Sequence, residues 1–118
     1  MTMRYRLCYR ALLIAALSAP PCASGSAPTL SDCLEASDFI ANAALSRDNG
    51  MTRDAFITRL TGDFAAIRAF PAELRWFVRD EDDERFLEDA AEHVFDAPST
   101  PADHRREFLR ACFERLSI

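Results

Sequence analysis

Cysteine and histidine are the residues of this chain best equipped for chemistry. Cysteines stand at positions 8, 22, 33 and 112, and histidines at 93 and 104. Cys8 and Cys22 fall inside a stretch with the character of an export leader. Cys33 and Cys112 then remain, one near each end of the mature chain, and in an oxidising compartment they are expected to form a structural disulfide. A redox-active pair would call for a C-x-x-C arrangement, and none is present. Zinc sites need clustered His and Cys, whereas His93 and His104 fall on different expected helices. His104 follows Asp103, but adjacent helical residues do not face each other. A solvated first-turn histidine is therefore expected there, not a catalytic dyad. His93 is expected at a helix boundary, where the C-terminal dipole favours it.

Other chemistry finds little support. The mature chain has only Gly50 and Gly62, so it holds no phosphate-cradling loop. No G-x-S-x-G elbow and no C-x-x-C-H haem attachment occurs. All 14 basic residues are arginine, which excludes Schiff-base chemistry and a lysine base. The run Asp80 to Glu84 lacks the spacing and central glycine of a calcium loop. It reads instead as acids gathered at a helix N-terminus. No catalytic, cofactor-binding or metal-ligating residue is expected.

Two patches suit a protein partner. Glu84, Glu88, Glu92 and Asp96 repeat every four residues and form one column on a helix. Like charges so placed repel, and Arg105, Arg106 and Arg110 on the last helix are expected to answer them within the fold, or else a basic partner does. Trp76, beside Arg75 and near Arg79, is either core filling or an exposed anchor, since Trp and Arg dominate binding hot spots.

Residues 1–25 read as a secretory signal: Arg4, Arg6 and Arg10, then the apolar run Ala11 to Leu17, then small residues ending at Gly25. The run is too short to span a bilayer, which takes roughly 20 residues. Residues 26–118 form the expected single domain. Three arginines precede Gly25 and all 19 acids follow it, so the mature chain carries a net charge of −8. Such a surface disfavours nucleic acid and anionic membrane.

The elements that must position these residues are all helical. Apolar residues recur at helical spacing, and no sustained alternation marks a strand. Helices are expected over 31–47 and from Thr52 to about 69. A short helix follows from Pro71 to 79, then one over 82–95 and one from Thr100-Pro101 to about 116. Asp48-Asn49-Gly50 stops the first, with Arg47 complementing its end. Gly62 is expected to mark close packing of the second against a neighbour. The fold class is all-α: a compact bundle of four to five helices stapled by Cys33–Cys112.

Cys33, the Ala-rich stretch from Ala36 to Ala44 and the turn Arg47-Asp48-Asn49-Gly50 resemble a group of short exported helical proteobacterial proteins with no known activity. The resemblance implies a periplasmic all-helical domain. The overall plan is also similar to that of periplasmic acid-stress chaperones. The expected function is a non-enzymatic protein-binding module of the periplasm, such as an inhibitor, immunity-type or accessory protein, with no cofactor. The alternatives are a pH-conditional chaperone, and a small enzyme using Asp103–His104 or a carboxylate pair.

Overall fold

The computed structural model describes residues 28–116. The expected leader over 1–25 lies outside the described residues. Four α-helices follow one another: α1 (Leu30–Asp48), α2 (Arg53–Ile67), α3 (Glu81–Asp96) and α4 (Pro101–Glu114). A 3₁₀ turn (Ala72–Leu74) lies between α2 and α3. No strand occurs among the described residues.

Each helix starts on a side chain that accepts an otherwise orphaned N–H. Thr29 and Asp32 form a reciprocal capping box at α1, with bonds of 3.0 and 3.1 Å. Thr52 caps α2, Asp80 caps α3 and Thr100 caps α4. Pro101 supplies the first residue of α4, where a missing N–H costs nothing. The end of α1 is closed by Gly50 at a φ of 101°. There the Gly50 N–H donates to the Arg47 carbonyl and the Met51 N–H to the Ser46 carbonyl, each at 3.0 Å. That double closure needs a left-handed residue, which glycine adopts without strain.

The core gathers Cys33, Ala36, Ile40, Ala43 and Ala44 from α1 with Leu60 and Phe64 from α2. Leu87, Ala91 and Val94 of α3 meet Phe108 and Cys112 of α4, and Phe77 and Val78 enter from the loop. The Ala-rich face of α1 lets neighbouring helices approach closely, as small side chains leave shallow grooves. Cys33 and Cys112 are bonded, with Cα atoms 5.8 Å apart and 79 residues of separation. Since Cys33 opens α1 and Cys112 closes α4, the bond joins an antiparallel pair at one end.

Three expectations are corrected. The helix expected over 71–79 is only one 3₁₀ turn, after which Arg75 is extended at φ −81°, ψ 143°. The cause is Arg75 itself, whose guanidinium donates to the carbonyls of Phe70, Arg68 and Arg79 at 2.8 to 3.1 Å. These bonds stand in for helical ones and leave Phe77 and Val78 free to enter the core. Next, the acidic column is met from α2, not from α4. Arg53 pairs with Glu92 and Asp96 and Arg68 with Glu84, because α2 packs along that face of α3. Of the expected partners, Arg105 pairs with Asp38 and Arg106 with Asp103.

Gly62 is the third correction. A Cβ built there meets nothing within 4 Å, so close packing does not explain it. With that space open, Gly62→Ala is expected to raise stability by up to about 1 kcal/mol, through helix propensity and a less flexible unfolded chain. Urea unfolding of the variant measures this, and a lower midpoint would contradict it.

Candidate functional site

Two features are not exhausted by packing: a polar junction at one end of the bundle and a clamped apolar loop at the other. The junction forms where the C-terminal ends of α1 and α3 meet the start of α4. Arg47 is its hub. Its guanidinium donates to the Val94 carbonyl at 2.7 Å, to the Ser99 carbonyl at 2.7 Å and to Asp48 at 2.9 Å. Capping the end of α3 in this way satisfies a carbonyl that the helix cannot. The same guanidinium lies 3.3 Å from Nε2 of His104.

His104 is only 3 % exposed, against the sequence-based expectation of a solvated residue. Its burial follows from placement: it stands in the first turn of α4, and the 97–99 loop folds back over it. The Ser99 N–H donates to Nε2 at 3.0 Å. Nε2 must therefore present its lone pair, and this hydrogen-bond pattern assigns the proton of the neutral ring to Nδ1. Burial holds the His104 imidazole below its ordinary pKa of 6.5, and the nearby Arg47 and His93 push the same way. Asp103 does not serve as its orienting acid. That carboxylate accepts from the Ser99 hydroxyl at 3.2 Å and pairs with Arg106.

His93 reaches the same place from α3. Its ring stands edge-on to His104 with centroids 5.8 Å apart, and its Nε2 lies 3.3 Å from Glu107. Sequence spacing alone does not join these residues, because they belong to different helices. His93, His104 and Glu107 place donor atoms within 4.8 Å of one another, which is metal-like clustering. The chemistry of the set fits a cation poorly. The Nε2 lone pair of His104 is already used by Ser99. Offering Nδ1 instead would put the ring proton on Nε2, facing two donors. The Arg47 charge beside it also repels a cation.

At the other end, the residues expected to bind a partner are placed as scaffold. Arg75 is committed to three backbone carbonyls, as described above. Arg79 donates to Asp32 at 2.7 Å. The Trp76 ring packs against Phe39 and Phe77, and its indole N–H donates to Glu35 at 2.9 Å. What these groups leave outside are Leu74, 70 % exposed, and Phe70, 57 % exposed. The helix expected over 71–79 gives no sign of this exposure for Leu74. The only local signal was two large apolar residues on either side of Pro71. Of the acidic column, Glu84, Glu92 and Asp96 are engaged by arginines of and beside α2, and no ion-pair partner for Glu88 is seen among the described residues.

A second cleft, of about 260 Å³, opens between α1 and α2 over Phe39, Phe56 and Leu60, with Arg59 and Asp63 among its lining residues. No helix among the described residues is long and apolar enough to cross a membrane. The chain matches no protein-family model, no curated protein and no solved structure.

Proposed function

We propose that this chain is an exported, non-enzymatic protein-binding protein whose contact surface is the segment 69–79, with Phe70 and Leu74 as anchors. One observation carries the reading: two large apolar side chains stand in solvent on a backbone that Arg75 ties down at three carbonyls. An exposed apolar residue on a loose loop is ordinary surface. On a clamped loop, the ordering cost that binding normally imposes has already been met within the fold. Trp76, Arg79 and Asp32 support the segment from behind and leave Phe70, Pro71, Ala72 and Leu74 exposed, with Glu73 among them. Export is supported by the signal-like residues 1–25 and by a disulfide that persists only in an oxidising compartment.

The test is capture from extract of the exporting compartment at neutral pH, using oxidised protein. Wild type is expected to retain one stoichiometric partner, and the double variant Phe70→Ser with Leu74→Ser to lose it. Both positions are exposed, so the urea stability of that variant should stay within about 0.5 kcal/mol of wild type. Arg75→Ala should weaken capture about tenfold without touching the partner, by loosening the segment. Equal capture by all three proteins would remove this surface from consideration, and retention of only a second copy of the chain would make it a dimer interface.

A further inference from the structure

The α1–α4 pair is closed in two different ways. At one end the closure is covalent, through Cys33 and Cys112. At the other it is a set of hydrogen bonds centred on Arg47, Ser99 and His104. Two of its contacts meet at one lone pair, while the same Arg47 guanidinium also donates to the Val94 and Ser99 carbonyls at 2.7 Å. Nε2 of His104 is approached by the Ser99 N–H at 3.0 Å and by the Arg47 guanidinium at 3.3 Å. Both are donors, so the contact exists only while the ring is neutral. A proton on Nε2 would sit between two N–H groups and place an imidazolium against a guanidinium.

Glu107 and Asp103 favour such an imidazolium, but burial together with the Arg47 and His93 charges outweighs them. From α1, Arg47 opposes it, and Asp48 already accepts from Arg47 through two nitrogens at 2.9 and 3.1 Å. From α3, His93 adds a second positive charge when it is protonated. From α4, Glu107 is held by His93, and Asp103 is held by Arg106 and the Ser99 hydroxyl. Arg106 and Arg110 line the outer side of the same cleft. Each of the three nearby acids already has a partner.

We propose that this junction is an acid-released latch: an imidazolium at His104 repels the Arg47 guanidinium that also holds the Val94 and Ser99 carbonyls, and so loosens the start of α4 and the end of α3 from the end of α1, while the disulfide keeps the opposite end of the α1–α4 pair closed. Opening is then a hinged movement, not general unfolding. It widens a cleft of about 250 Å³ that already lies between α3 and α4 beside His104, floored by Ile40, Phe86, Phe108 and Ala111. Acid thereby exposes a new apolar surface along the α3–α4 side of the bundle, lined by neither Phe70 nor Leu74. The latch stands whether or not that segment binds a partner.

The sign of the pH effect follows from linkage. The His104 ring protonates less readily in the folded protein than its ordinary value of 6.5. The unfolded or opened state therefore binds the proton first. The closed state is fully favoured above pH 6.5, and that advantage is lost as pH falls below 6.5 towards the folded value.

The experiment titrates the oxidised protein from neutral to acid pH with an apolar dye, following helix content by circular dichroism. In parallel, ¹⁵N spectra of the histidine rings report which nitrogen carries the proton. Wild type should show the Nδ1–H tautomer of His104 at neutral pH. Dye binding should then rise with a midpoint below 6.5, together with His104 protonation and with helix content retained. His104→Gln keeps an oxygen acceptor for the Ser99 N–H but gains no charge. Its dye transition should move down by about one pH unit or more, into the carboxylate range. An unchanged midpoint in that variant would overturn the latch. So would an Nε2–H tautomer at neutral pH, or His104 titrating without dye binding. If the variant does not fold, the wild-type comparison of ring titration with dye binding decides alone.

Discussion

Reducing the Cys33–Cys112 bond is expected to remove about half of this protein's stability. Closing a loop with a separation of 79 residues restricts the unfolded chain by about 4.5 kcal/mol in the chain-entropy account. A domain of this size has about 5–14 kcal/mol in total, so the bond supplies about half near the middle of that range. The packing beside the bond explains why little else compensates. Three of the seven buried residues of α1 are alanine, Ala36, Ala43 and Ala44, and each buries little apolar area. The α1–α4 seam therefore fits closely yet gains little transfer energy per residue, and the covalent link holds its end. Urea unfolding with and without reductant measures the effect, as does the double variant Cys33→Ala with Cys112→Ala. The midpoint should fall by roughly half. A shift of less than about a tenth would show that the bond is dispensable.

The second large effect is expected at Asp83. This carboxylate is 0 % exposed, accepting from the Arg79 N–H at 3.1 Å and from the Arg115 guanidinium at 2.9 Å. Arg115 also lies over the Phe86 ring at 4.4 Å, so its stem and charge both contribute. Burial raises the pKa of the Asp83 carboxyl above 3.8, and neighbouring Asp80 adds to this against the opposing pull of the Arg79 N–H and Arg115. Arg115→Met keeps most of the packing and leaves the charge without its cation. The cost should be about 3 kcal/mol at neutral pH, the lower end for orphaning a buried charge, because Arg115 is itself 31 % exposed.

The pH dependence separates this from a simple packing loss. A carboxyl whose folded pKa is raised binds its proton more readily folded than unfolded. Its cost is therefore present at neutral pH and is relieved as pH falls through the folded value. Losing Arg115 raises that value further, so the deficit of Arg115→Met should shrink on acidification. Adding Asp83→Asn, which removes the charge and keeps an acceptor for Arg79, should recover part of the loss. A double-mutant cycle across pH reads both effects. A deficit independent of pH, with no recovery in the double variant, would mean that packing alone was lost.

The contrast between Thr100 and His104 shows what was legible. An N-cap threonine, a proline at the first helical position and an acid three residues after the cap are local rules that act within one turn. They placed the start of α4 to the residue. The Asn49-Gly50 stop was read in the same way, since a left-handed closure depends only on which residue occupies it. Hydrophobic spacing gave the helices, and with the two cysteines it gave an all-α bundle and its bridge.

Arg75 marks where local reading ended. By spacing, 71–79 continued as a helix, because Leu74, Phe77 and Val78 recur correctly. One guanidinium bound to three carbonyls outweighed that preference, and nothing in the letters around it indicates which way an arginine will reach. The acidic column was equally plain in the sequence, but its partners were not. Arg53 and Arg68 lie sixteen or more residues from the acids they meet, and only the packing of α2 along α3 selects them over the arginines of α4.

By itself, then, the sequence determined the four long helices, their caps and the covalent staple, because caps, stops and apolar periodicity are energies set within a few residues, whereas the helix expected over 71–79 was lost to Arg75. The tertiary structure alone decided that Phe70 and Leu74 face solvent on a clamped segment, that Asp83 is buried, and that His104 is held beside Arg47. The burial of Asp83 against Arg115 and of His104 against Arg47 joins residues 32 and 57 positions apart, which meet only after the helices have packed. The Arg75 clamp spans only four to seven positions, but its direction is set by no local rule.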